Sequence, residues 1–153
     1  AGWRAVALDQ RGHGDSEWPS DGAYAFPDYA ADAEAVGRAV AAERGGKPVV
    51  VGASLGGVAA LLALGRNRAD PPFAGLVLVD IVPRMDPRGV DHIQSFMRAR
   101  AEEGFATIEE AAEAVAAYLP QRPRPRSLDG LKKNLRHHPD GRWRWHWDPR
   151  FLD

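Results

Sequence analysis

The sequence predicts an α/β fold, parallel strands with flanking helices followed by a mainly helical segment. Three short apolar runs, each followed by turn chemistry, punctuate the first half of the chain with helical patterns between them. After Asp80 the strand-like runs give way to helical spacing. With 153 residues, 44% hydrophobic and 27% charged, the chain is long enough to bury a sizeable core.

Taken in order, the first apolar run, "RAVALD" (4–9), predicts a strand over residues 3–9. Asp28 is placed to cap a helix whose apolar positions Tyr29, Ala33, Val36 and Val40 step by helical intervals, and Gly45-Gly46 ends it. "PVVVG" (48–52) predicts a second strand, residues from about 55 to 66 a second helix, and "GLVLVD" (75–80) a third strand. Near-continuous apolar runs suit parallel strands covered on both faces. Beyond them, Val90, Ile93, Phe96 and Met97 share one helical face. Thr107 and Glu110 form a capping box ahead of the stripe Ile108, Ala112, Val115 and Leu119. "PQRPRPRS" (120–127) reads as a stiff connector, and Ser127 as the cap of a short helix carrying Leu128, Leu131 and Leu135. Asp140-Gly141 marks a turn, after which Trp143, Trp145 and Trp147 alternate with Arg144 and His146. That spacing puts three indoles on one face of an extended segment.

Composition narrows the function classes. No apolar run is long enough to cross a bilayer, and no membrane partner is expected. The absence of cysteine removes disulfides and thiolate metal sites and fits a reducing, cytoplasmic setting. The net charge of −1 conceals an asymmetry: residues 1–120 hold 11 basic against 17 acidic side chains, residues 121–150 hold 9 against 3. A basic segment with three tryptophans raises nucleic-acid stacking, but packing within this segment, docking on the sheet or lining a substrate pocket account for the same residues, so no nucleic-acid partner is expected. Adjacent His137 and His138 cannot both face one metal from a regular helix, so neither metal nor cofactor is expected.

"VVVGASLGG" (49–57) carries the chemistry. A strand runs into a Gly-x-Ser-x-Gly turn and then into a helix. This context puts Ser54 at a strained apex with its hydroxyl above the sheet. The helix aims its free N–H groups at the same point, and the Leu55 backbone N–H is a ready oxyanion donor. Asp80 stands at the carboxyl end of the next strand, where ligands gather in open α/β sheets, and is a candidate acid.

"VGASLGG" resembles the nucleophile elbow of α/β-hydrolases, and "LDQRGHGDS" (8–16) resembles the D-x-R-G-x-G-x-S loop of the same family. "GLVLVDIVP" after the elbow helix, followed by a helical insertion, is similar in order. The resemblance implies a partial α/β-hydrolase fold running from the family's fourth strand through the sixth and into its cap. It divides the chain into a core over residues 1–83, with three strands and the elbow, and a helical cap over 84–153. The implied activity is acyl transfer on ester or related small-molecule substrates, with Ser54 as nucleophile and Leu55 N–H in the oxyanion hole. Asp80 would be the acid in those members that place it after this strand, and Trp143, Trp145 and Trp147 would line the substrate pocket. The chain is accordingly expected to be an internal fragment, inactive and unstable or associated by itself. Its histidine would come from beyond Asp153, its second oxyanion donor from before Ala1, and the family's third strand would belong between residues 3–9 and 48–52. His13 falls in the structural "RGHG" loop, and His92, His137, His138 and His146 fall in the cap. The other class of reading is a non-catalytic hydrolase remnant or a basic-aromatic binding module.

Overall fold

The computed structural model describes residues 2–82, 84–125 and 127–153. The chain divides into two compact units, one running to Met85 and the other spanning Asp86–Asp153.

The first unit opens with residues 2–10, which have no secondary structure, and a loop over residues 11–22. Helix α1 (Phe26–Arg44), strand β1 (Val49–Ala53), helix α2 (Leu55–Arg66) and strand β2 (Gly75–Val79) follow. Asp28 is not the N-cap of α1. The helix starts earlier, with Ala25 at the cap, Pro27 in the first turn where its missing N–H costs nothing, and Asp28 Oδ2 accepting from Ala25 N–H at 2.9 Å. Gly45 ends the helix at φ 74°, its N–H donating to Ala41 O at 2.9 Å.

β1 and β2 pair in parallel from Val49↔Gly75 to Ala53↔Val79. Ala30 on α1, Ala60 and Ala63 on α2, and Phe73 form the buried core, with Val50 and Leu76 packed against it from the sheet. The opposite face of the sheet is bare: Val49, Val51, Val77 and Val79 are exposed, Val51 by 66%. Coverage of both faces was the expectation from the apolar runs, and only one face has it. The expected strand over residues 3–9 is also absent. Its residues share no ladder with β1, and Trp3 is 95% exposed. An apolar β-branched run becomes a strand only when a partner edge supplies hydrogen bonds, and none of the described residues does so.

In the second unit, helix α3 (Pro87–Arg98) is capped by Asp86, whose side chain accepts from Arg88 N–H. Helix α4 (Ile108–Tyr118) is capped by Thr107, which accepts from Glu110 N–H at 3.1 Å; Glu110 reaches back to Ala106 N–H rather than to Thr107. The helix expected after Ser127 lasts only from Asp129 to Lys132 (α5), and Leu135 begins a strand instead. Strands β3 (Leu135–His137) and β4 (Trp143–Trp145) pair antiparallel around the Asp140-Gly141 turn, so this unit contains a hairpin as well as helices. Of the predicted 120–127 connector, Arg126 lies outside the described residues. A 3-10 turn (Pro149–Leu152) closes the chain, capped by buried Asp148. Among the described residues no helix is long and apolar enough to cross a membrane.

Candidate active site

Ser54 is held where strand turns into helix, in neither element. Its φ of 45° and ψ of −121° lie outside the ordinary regions for an L-residue, and its carbonyl accepts from Gly57 and Val58 N–H at 2.9 and 3.1 Å. So sharp a turn requires bare backbone beside it. A Cβ on Gly52 would fall 2.6 Å from Gly56 O, and one on Gly57 would fall 2.8 Å from Ile81 Cγ2. Leu55 opens α2 directly behind the serine, so its N–H belongs to the first turn, where helix geometry offers no internal acceptor.

Asp80 leaves β2 as Ser54 leaves β1. The two are the only non-glycine residues with positive φ among the described residues, Asp80 at 53°. Each follows directly on the final rung of the ladder, Ala53↔Val79. Neighbouring strands lie about 4.8 Å apart, so the ladder delivers the serine and the carboxylate to the same end of the sheet on adjacent strands.

The loop before α1 is braced as a structural part. Arg11 grips Asp32 on α1 through two nitrogens at 2.6 and 2.7 Å, and donates to Ala23 O. That carboxylate raises the guanidinium's already high pKa. Asp9 Oδ2 accepts from Asp15 N–H, Ser16 Oγ donates to Asp9 O at 2.6 Å, and a Cβ on Gly14 would collide with the Asp9 carboxylate. His13 Nδ1 lies 3.0 Å from Arg11 O inside this loop. It is the first unit's one histidine.

Between Asp9 and Arg11 stands a residue that sequence reasoning passed over. Gln10 is half-buried, and its Nε2 would be 3.3 Å from a Cβ on Gly56, the second residue of α2. Only the polar character of the position was visible in the sequence; its neighbour lies 46 positions away.

In the second unit the tryptophans turn inward. Trp145 is 6% exposed in a core with Phe105, Ala111 and Leu135, and Trp143 and Trp147 pack against that core. Trp145 stacks on Trp147 at 5.0 Å and meets Phe105 edge-on at 5.4 Å. The three indoles, which the resemblance would place in a substrate pocket, here pack in or against the core of this unit. Its arginines are used internally as well. Arg142 donates to Glu103 O and Gly104 O, and Arg144 donates to Glu102 O and pairs with Asp140. His92 stacks on Tyr118 at 5.0 Å, and His137 lies against Trp143 at 4.9 Å.

Residues 1–137 match the model of the alpha/beta hydrolase fold. The chain belongs to the alpha/beta hydrolase fold family. Among its relatives is protein phosphatase methylesterase 1 of Mus musculus, 32% identical over 113 residues, covering 72% of this chain and 28% of the relative. An esterase of Mycobacterium tuberculosis is 30% identical over 152 residues, covering 94% of this chain and 48% of the relative. An alpha/beta hydrolase from Novosphingobium aromaticivorans superimposes with a TM-score of 0.71 at 28% identity, covering 94% of this chain and 50% of that one. This alpha/beta hydrolase chain thus spans between about a quarter and a half of the length of the curated relatives it matches.

Proposed function

We propose that the polypeptide carrying this chain is a serine hydrolase that cleaves small-molecule esters by acyl transfer. One observation supports it above the rest: Ser54 and Asp80, both at positive φ, each follow directly on the last rung, Ala53↔Val79, of adjacent parallel strands. Two relatives, an esterase and a methylesterase, direct the reading to esters.

Ser54 Oγ attacks the ester carbonyl carbon while a histidine takes the hydroxyl proton. The new Oγ–C bond pushes the carbonyl electron pair onto oxygen, where Leu55 N–H and a second donor hold it. The C–O bond to the alcohol then breaks, the histidine returns its proton to the departing oxygen, and water repeats the sequence to free the acid and Ser54. Asp80 orients the histidine and stabilises its cationic form. In this mechanism the histidine and the second donor are supplied from outside residues 1–153; His13 is committed to its own loop, its Nδ1 3.0 Å from Arg11 O.

The test is p-nitrophenyl ester turnover by the full-length protein. Ser54→Ala is expected to lower kcat by on the order of 10⁵–10⁶, and Asp80→Asn by about 10⁴. Residues 1–153 alone are expected to show only a trace of either rate. Turnover by the full-length protein that survives Ser54→Ala would overturn the assignment, and turnover absent altogether would favour a non-catalytic member.

A further inference from the structure

Gly57 joins the two turns that carry Ser54 and Asp80. Its N–H donates to Ser54 O at 2.9 Å, which closes the first turn of α2 around the serine. Its bare α-carbon faces the chain leaving β2: a Cβ there would fall 2.8 Å from Ile81 Cγ2 and 3.2 Å from Leu78 Cδ2. A Cβ stands about 1.5 Å from its α-carbon, so the Ile81 methyl lies within about 4.3 Å of Gly57 Cα, in contact with it. Ile81 is half-buried, whereas Asp80 and Val82 on either side of it are exposed.

Asp80 is otherwise anchored on one side only. The ladder ends at Ala53↔Val79, and among the described residues no hydrogen bond or ion pair engages the Asp80 carboxylate. The backbone of residue 80 therefore sets where that carboxylate points, and it stands at φ 53°. Left-handed backbone is unfavourable outside glycine and persists only where the surroundings enforce it. Resting on the serine-hydrolase reading, with Asp80 as its acid, we infer that Ile81 is a positioning residue. Its Cγ2 methyl, seated on Gly57, fixes residues 80–81 against the first turn of α2 and so fixes where the carboxylate meets the histidine. Gly57 ties nucleophile to acid: its N–H holds the Ser54 carbonyl, and its α-carbon seats the turn that carries Asp80.

The test is the pH dependence of p-nitrophenyl butyrate turnover by the full-length protein and its Ile81→Val, Ile81→Leu and Ile81→Ala variants. Valine keeps both γ-carbons, leucine keeps the carbon count without a branch at Cβ, and alanine keeps neither. Ile81→Leu and Ile81→Ala are expected to lower kcat about tenfold with KM unchanged, because small misplacements of a catalytic group are costly. Ile81→Val is expected to stay within about twofold of the parent. A displaced carboxylate no longer favours the cationic histidine. The acid limb of kcat/KM should therefore move to lower pH, by about half a unit or more, in the leucine and alanine variants. A kcat loss with that limb unmoved would put the effect in the elbow and overturn the inference, as would equal losses in all three variants or none in any. Turnover that needs Ser54 but survives Asp80→Asn would remove the acid and this inference, leaving Ser54 as nucleophile. A parent without Ser54-dependent turnover would instead remove the hydrolase reading itself. If Ile81→Ala does not fold, Ile81→Leu decides by the same two readouts.

Discussion

The two units bury their cores by opposite means. The first packs mostly alanines and glycines: Ala30, Ala60 and Ala63 with Phe73 set against Gly37, and one further buried ring, Tyr29. The second packs rings: Phe105, Trp145 and Trp147, with Phe96 and Tyr118 stacked 4.2 Å apart beside them. Small residues bury little area each, but they let backbones approach. Gly52 and Gly57 do so at the elbow, where a strand has to reverse into a helix within one residue. Large rings bury 150–250 Å² each and tolerate looser backbone geometry. The first unit gives up apolar area for a sharp turn at Ser54, and the second takes area in its rings.

The difference should be largest for Trp145→Ala. Truncating a buried tryptophan costs about 3–5 kcal/mol. The loss is expected in the second unit alone, so hydrogen exchange should rise across residues 105–145 while β1 and α2 keep their protection. A matching rise in β1 would mean that the two cores stand or fall together. Gly52→Ala probes the other strategy. One methyl group driven toward Gly56 O should cost about 1–3 kcal/mol, read by urea unfolding, and should abolish ester turnover because the apex shifts. A variant with normal turnover would show that the elbow does not need its close approach.

The smallest effect is electrostatic and common to both units. Lys47 and then Arg38 hold the Asp70 carboxyl down to about 2, and Arg144 with the backbone N–H of Arg142 does the same for Asp140. The ordinary value is 3.8, so this stabilisation is complete above the ordinary carboxylate range and is lost as pH falls through about 2. Both groups are exposed, and such pairs contribute little. A small decline in melting temperature between about pH 4 and 2 is expected, and Asp70→Asn should remove only the first unit's share. A variant that melts with unchanged acid dependence in that unit would remove Asp70 from the account.

What was legible in the sequence is what is local. Val49–Gly57 announces strand, turn and helix within nine residues, and Thr107 with Glu110 announces a helix start within four. Residues 3–9 have the composition of a strand, but a strand is completed by a neighbour, and composition says nothing of whether the neighbour is there. Leu128, Leu131 and Leu135 fit a helical period; β4 claims Leu135 through its rung with Trp145, a pairing that a three-residue strand does not advertise. The tryptophans' common face was visible, and what it faces was not. At the site, the proximity of Asp80 to Ser54 depends on register, and that of Gln10 to Gly56 on a braced loop.

The two positive φ angles at Ser54 and Asp80 set stability against use at those positions. A non-glycine residue in such backbone costs of order 1 kcal/mol or more, and glycine adopts it freely. Replacing either residue by glycine would relieve the torsion and delete the hydroxyl or the carboxylate. Selection for thermal tolerance alone, in a library of variants of this chain, would therefore favour exchanging both for glycine. Selection that also demanded ester cleavage would hold them against that pressure. Comparing the two outcomes would reveal which strained residues are kept for chemistry, without any prior assumption about mechanism.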